Sequence, residues 1–365
     1  MRTRNKMIVG GFATGTLVAG IAAGAAAVIA SRRAFRLVRG LQRSWGDDLR
    51  GHVVVITGSS RGLGLALAEE FARHGCKIVL NARNERELVR ARQQVEKLGA
   101  EVGAFTCDVS RPDQAEHLIN AARQQFGRVD ILVNNAGIIS VGPMEEHTLQ
   151  DFREAMDTIF WGMVQPTLAA LPMMMERRRG HIVNITSIGG RVSVPHLLPY
   201  SCAKFATVGF SEGLHAELRK HGIHVLTVVP GLMRTGSHLH AQFKGKHQKE
   251  YGWFAVSGTN PLISVSVERA ARQIVNATRR NRSDLVVGWQ ARALMTAHAN
   301  APGLIADAMG LVNRFLPGAE AGGLEGIRPA EKKAGRESES AVTRSPLTAL
   351  GRRAARRYNQ TEGVA

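Results

Sequence analysis

Between His52 and Gly288 the chain alternates two hydrophobic rhythms. Short runs in which most residues are apolar, many of them β-branched, are separated by longer stretches with an apolar residue at every third or fourth position. The runs at 53–57, 77–82, 102–106, 130–134, 181–186, 223–228 and 285–287 predict strands. The stretches at 63–74, 85–98, 112–126, 149–177, 200–220 and 267–280 predict helices. Strands alternating with helices imply βαβ units, and such units build a parallel sheet covered on both faces. The expected fold is therefore α/β: a doubly wound parallel sheet of about seven strands, spanning residues 51–290 and flanked by helices. No internal repeat breaks this pattern.

The flanks follow different rules. Residues 7–30 contain no charged side chain, and 24 residues exceed the ~20 that a helix needs to cross a bilayer. Arg2, Arg4 and Lys6 precede them; Arg32, Arg33, Arg36, Arg39 and Arg43 follow. Residues 1–50 thus read as an N-terminal apolar helix, a single-pass membrane anchor, with a basic juxtamembrane segment. The heavier positive flank on the C-terminal side puts the catalytic part in the cytoplasm. Two rivals stay open. Small residues such as Ala25 and Ala27 fit a cleaved signal peptide. Gly10, Gly11, Gly15, Gly20 and Gly24 also dilute the hydrophobicity enough for a segment that never inserts. Residues 291–325 are rich in Ala, Leu and Met and broken by Pro302, which predicts a C-terminal helical extension packed on the core or lying on the membrane. From Pro317 the composition turns to Gly, Ala, Glu, Lys, Arg and Ser, and 326–365 is expected to be a disordered basic tail.

Charge sharpens the membrane reading. The net charge is +18, of which residues 1–50 carry +7 and residues 326–365 carry +5. Basic ends beside an apolar stretch fit a lipid surface. No interleaved basic and aromatic pattern supports a nucleic-acid partner. Cys76, Cys107 and Cys202 form neither a disulfide framework nor a metal spacing, and no cluster of acidic or Cys partners accompanies His238, His240 and His247, so solvated histidines and no metal are expected. Self-association into a homo-oligomer is left open.

The chemistry begins at Thr57-Gly58-Ser59-Ser60-Arg61-Gly62-Leu63-Gly64, which follows a strand and opens a helix. Its glycines permit a tight turn and close approach of a pyrophosphate, and the helix N-terminus offers N–H donors. Downstream come Asp108-Val109, Asn134-Asn135-Ala136-Gly137, Ser187, Tyr200-Ser201-Cys202-Ala203-Lys204 and Pro230-Gly231. In this order and spacing, residues 52–290 resemble the short-chain dehydrogenase/reductase family. The resemblance implies a Rossmann-like sheet and a nicotinamide cofactor. It implies that Asp108 and Val109 border the adenine, that Asn135, Ala136 and Gly137 line the cofactor beside the central strand, and that Pro230, Gly231 and Thr235 lie near the nicotinamide amide.

A carboxylate at the end of the second strand favours a free ribose 2′-hydroxyl, whereas Arg favours a 2′-phosphate. Here that strand ends Asn81-Ala82-Arg83, with Ala82 where the acid would stand. Arg83 and Arg61 are expected to clamp a phosphate through charge-assisted bonds, which points to NADP(H).

Tyr200 and Lys204 share a helix face. A nearby ammonium favours a phenolate and is expected to lower the tyrosine pKa. The resemblance gives Lys204 a second task, holding the nicotinamide ribose. Ser187 polarises the substrate oxygen and Tyr200 supplies the proton. The family also carries an Asn three residues before a helical Gly; here the Gly is Gly162, and Ile159 stands in the Asn position. Either backbone groups hold the water that this Asn positions, or turnover is slow, or catalysis is lost.

The segment between Pro230 and Val267 carries His238, His240, Phe243, Lys244, Tyr251, Trp253 and Phe254 and reads as a lid. Val194, Leu197, Leu198, Leu232 and Met233 flank the expected pocket and lean towards a small apolar ketone, aldehyde or alcohol, lipid- or steroid-like. The competing class is a membrane-bound NADP(H)-binding sensor or scaffold with little turnover, for which Ile159 speaks.

Overall fold

The computed structural model describes residues 48–319, 331–340, 343 and 348–361. The expected anchor at 7–30 and residues 320–330 lie outside them. The seven strands are β1 (Val53–Ile56), β2 (Lys77–Ala82), β3 (Val102–Thr106), β4 (Ile131–Asn134), β5 (Gly180–Ile185), β6 (Ile223–Pro230) and β7 (Asp284–Val287). They pair in the order β7-β6-β5-β4-β1-β2-β3, all parallel. β1, β4 and β5 are buried along their whole length, because helices cover both faces of the sheet.

The helices are α1 (Gly62–Arg73), α2 (Glu85–Glu96), α3 (Pro112–Phe126), α4 (Leu149–Ala155), α5 (Gly162–Glu176), α6 (Leu198–Leu218), α7 (His247–Thr259), α8 (Val267–Arg279), α9 (Trp289–Asn300), α10 (Pro302–Asn313) and α11 (Ala349–Arg357). Between α4 and α5 the chain winds through a π turn at Met156–Trp161, a local widening that often accompanies functional sites. The strand order reverses at β1. From there the chain runs outward through β2 and β3, then returns to pair β4 on the other side. The crevice beyond the C-terminal ends of β1 and β4 is where such sheets bind ligands.

The lid is pinned by two small sheets. Met233–Arg234 pairs with Val265–Ser266. Gln242–Phe243 lies between Ser140–Val141 and Lys333–Ala334. Under it, Phe243, Tyr251, Ala255 and Ala355 share a second apolar core. The expectation of a disordered tail at 326–365 is thereby corrected for its described residues. Lys332 pairs with Asp151 at 2.8 Å, the buried Ala355 seats α11 against the lid, and the buried Tyr358 donates its hydroxyl to Glu268 at 3.2 Å. Composition misleads here because α11 is strongly amphipathic: a few apolar residues on one side suffice to dock it, while its arginines stay in water. Among the described residues, no helix is long and apolar enough to cross a membrane.

Candidate active site

Thr57 to Gly64 leave β1 and enter α1 across the crevice. Gly58 adopts φ +61°, and a Cβ there would sit 2.9 Å from Ala136 Cα, so only glycine fits. Asn135 holds this turn: its amide donates to the carbonyls of Thr57 and Gly58 at 3.0 and 2.9 Å, while its backbone N–H donates to Thr57 Oγ1 at 2.9 Å. Asn134 bonds Thr167 and Asn184 and locks β4 to β5. The Asn-Asn-Ala-Gly run thus braces the phosphate loop itself.

Ser187 lies just after β5, and Tyr200 and Lys204 sit in the first two turns of α6. The three side chains converge. The Ser187 hydroxyl lies beside Tyr200, where it favours the phenolate. Lys204 Nζ donates to the Ile185 carbonyl at 2.8 Å and lies 5.8 Å from the Tyr200 ring centroid. Burial alone brings the Lys204 ammonium down to about 8. The expected lowering of Tyr200 is corrected. Burial pushes its phenol up, and Ser187 opposes this. The reason is that taking the phenol out of water penalises its charged form more than its neighbours repay, and the Lys204 ammonium is itself costly to charge there.

Ile159 occupies the π turn, buried against Ala155, Ala203 and Tyr200. It fills with hydrocarbon a place in the cluster against which Tyr200 packs.

At the adenosine end, Arg61 and Arg83 behave differently. Arg61 is bound at 2.9 Å by Glu87, a buried carboxylate that also accepts the Ser60 hydroxyl at 3.0 Å. Arg83 is largely exposed and lies 3.9 Å from Asp108. Both expected guanidiniums therefore already have a carboxylate partner, Arg61 closely in Glu87 and the more exposed Arg83 loosely in Asp108. Asp108 accepts the backbone N–H and hydroxyl of Ser110. Val109 is buried in the main core rather than exposed at a pocket wall. Ser59 turns inward, its hydroxyl donating to the Ile56 carbonyl at 2.8 Å. Pro230 ends β6, Gly231 donates to the Val287 carbonyl at 2.9 Å, and buried Thr235 accepts the Ser237 N–H at 3.2 Å.

Three features escaped the sequence. Gly62 N–H donates to the Tyr358 carbonyl at 2.9 Å, Asn359 donates to the Ser60 carbonyl at 3.2 Å, and Gln360 lies 2.6 Å from where a Cβ on Gly62 would be. His196 is bound to Glu250 of α7. The lid histidines are also not solvated: His238 is buried and held down to about 4 by desolvation, His240 bonds the Gln360 carbonyl, and His247 bonds Ser338. Each contact spans tens to hundreds of residues, so spacing carries no signal of it. Cys202, two residues from Tyr200, is exposed, whereas Cys76 and Cys107 are buried.

The donor set fits a dinucleotide: a glycine cradle at a helix N-terminus, set in the crevice where the sheet reverses, with a buried lysine and a serine–tyrosine pair beyond it.

A profile of the family described as short chain dehydrogenase matches residues 52–243. A protein named 11-beta-hydroxysteroid dehydrogenase A from Sesamum indicum is 36% identical over 241 residues, 64% of this chain and 67% of the relative. The structure of L-sorbose reductase from Gluconobacter frateurii, complexed with NADPH and L-sorbose, is 30% identical with a TM-score of 0.59, covering 65% of this chain and 95% of that one. A short chain dehydrogenase/reductase from Burkholderia phymatum, in complex with NAD, is 26% identical with a TM-score of 0.65, covering 70% and 96%.

Proposed function

Because the chain belongs to the short chain dehydrogenase family and is an oxidoreductase of alcohol and ketone groups, we propose that it is an NADP(H)-dependent enzyme interconverting an apolar ketone and its alcohol. The observation that carries the reading is the convergence of Ser187 and Tyr200 with the buried Lys204, whose Nζ lies 5.8 Å from the Tyr200 ring centroid. The cofactor, when bound, supplies or accepts hydride. Ser187 Oγ donates a hydrogen bond to the carbonyl oxygen and polarises it. Tyr200 Oη delivers the proton to that oxygen as the alcohol forms. Lys204 lies close enough to favour the phenolate that remains, once a bound ribose draws Nζ away from Ile185. Gly58, Gly62, Leu63 and Gly64 would hold the pyrophosphate, and Arg83, with Ala82 beside it, would take a 2′-phosphate.

Val192, Val194, Leu198, Ile305 and Met309 line the cavity next to this segment and support an apolar substrate. A membrane-surface location for the cytoplasm-facing catalytic part is supported by the uncharged stretch 7–30 in the sequence and by exposed Leu304, Leu311, Val312 and Phe315 on and after α10. NADPH oxidation on a panel of apolar ketones, beside Tyr200→Phe and Ser187→Ala, tests the reading. Loss of at least ~10³-fold in kcat is expected for Tyr200→Phe. Oxidation that survives the substitution would refute it. Ile159 favours the second reading, an NADP(H)-binding sensor: NADPH binding without any Tyr200-dependent turnover would select it.

A further inference from the structure

A cavity of about 420 Å³ opens beside the catalytic segment. Its wall includes Val192, Val194, His196 and Leu198, all between Ser187 and Tyr200, and on the far side His298 of α9 with Ile305 and Met309 of α10. Most of this lining is hydrocarbon. Such pockets orient their ligands through a few placed polar groups, and here the two imidazoles stand out.

His196 is buried at 7% exposure and adopts φ +63°, a left-handed backbone that non-glycine residues rarely take. Its ring is clamped: Nδ1 lies 2.8 and 3.0 Å from the two carboxylate oxygens of Glu250. Glu250 is fully buried and also accepts the Trp253 indole N–H at 2.7 Å. A buried carboxylate on Nδ1 assigns the proton to that nitrogen and leaves Nε2 of the neutral ring as an acceptor. Nε2 has no hydrogen-bond partner among the described residues. Across the cavity, His298 Nδ1 is buried without a partner. An unpartnered Nε2 on His196 and a buried unsatisfied nitrogen on His298, on two residues lining one mostly apolar cavity, ask for a ligand hydrogen-bonding group, since buried polar groups are rarely left unmade.

We propose that His196, oriented by Glu250, and His298 form a polar anchor that recognises a hydroxyl group on an apolar substrate, away from the carbonyl that reacts. This rests on the reductase reading above and narrows its substrate class. A hydroxyl suits the pair because it donates to Nε2 of His196. A carboxylate suits it poorly, because Glu145 lines the same cavity. Sites built to bond a hydroxyl discriminate strongly against analogues that lack it.

The test uses benzylacetone with its para-hydroxy and para-carboxy derivatives, NADPH, and the full-length protein. The intact enzyme should favour the hydroxy ketone over benzylacetone by roughly tenfold or more in kcat/KM, through KM. In His196→Phe, and separately in the milder His196→Asn and in His298→Phe, that ratio should fall towards one. A ratio that persists in the variants while both ketones lose activity equally would assign His196 a packing role and overturn the proposal, as would a preference for the carboxy ketone or none at all. If no ketone shows Tyr200-dependent turnover, the reductase reading fails on its own. The anchor is then read from ligand-induced melting shifts. A hydroxy-selective shift lost in His196→Phe upholds it, and equal or absent shifts overturn it.

Discussion

The amide of Gly62, first residue of α1, donates to the carbonyl of Tyr358 at 2.9 Å, so the far end of the chain is tied to the phosphate loop. The N–H groups of this first turn are those that bind a phosphate. Gln360 rests on the open face of Gly62, and its own carbonyl is held by His240 of the lid. The tail therefore bridges the two banks of the crevice. A chain ending at Arg357 should take up and release NADPH faster by roughly tenfold or more, since the bridge amounts to three hydrogen bonds of ~1 kcal/mol each. Stopped-flow cofactor fluorescence would measure this, and unchanged rates in both directions would remove the tail from the exchange step.

Lys204 makes stability depend on pH. Its amine is lowered from 10.5 to about 8 by burial. Below pH about 8 it is charged in both folded and unfolded chains, and the buried charge destabilises the fold. Between about 8 and 10.5 the folded chain has released a proton that the unfolded chain still holds, so this penalty shrinks as pH rises. Lys204→Met should thus stabilise the fold at pH 7 by on the order of 3 kcal/mol at most, read as a higher Tm, while abolishing turnover. The gain should vanish above pH 10.5. A variant that melts lower than the parent at pH 7 would contradict the burial argument.

Ile159 packs on Tyr200 from the π turn. Replacing it with Asn places an amide among hydrocarbon, and ~2 kcal/mol of stability should be lost. The same amide can hold water near Lys204. Steady-state assays should show kcat rising severalfold with KM for the ketone little changed. A fall in kcat would show that the hydrocarbon contact serves the tyrosine better than a water does.

Arg83 and Arg61 should separate in their effect on cofactor choice. Arg83 is exposed and only loosely paired with Asp108, so it can turn to a 2′-phosphate, and Arg83→Ala should raise the Kd for NADPH roughly tenfold or more, with NADH unaffected. Arg61 is already engaged by Glu87 and should matter less. Ala82→Asp should move preference towards NADH. Fluorescence titrations with both nucleotides would check all three. Tighter NADH than NADPH binding by the parent would refute the NADP(H) assignment.

The strands, the glycine turn and the Ser187, Tyr200, Lys204 spacing were legible in the sequence for a physical reason. Burial on both faces of a parallel sheet demands unbroken apolar runs, a phosphate loop demands glycine at set places, and a helix puts residues four apart on one face. Six of the seven observed strands begin or end within a residue of the predicted ones, and β6 runs two residues further. The break at Ile159 was also visible, because it departs from the motif of the family that the chain resembles. Tertiary structure alone decided the rest. Glu87 reaches Arg61 from another helix, Glu250 reaches His196 from the lid, and Tyr358 reaches Gly62 from the tail. Periodicity and spacing report what neighbours along the chain do. Partners brought together only by packing leave no such trace, and these are the contacts that set which guanidinium is held loosely, how the cavity is polarised and what covers the phosphate loop.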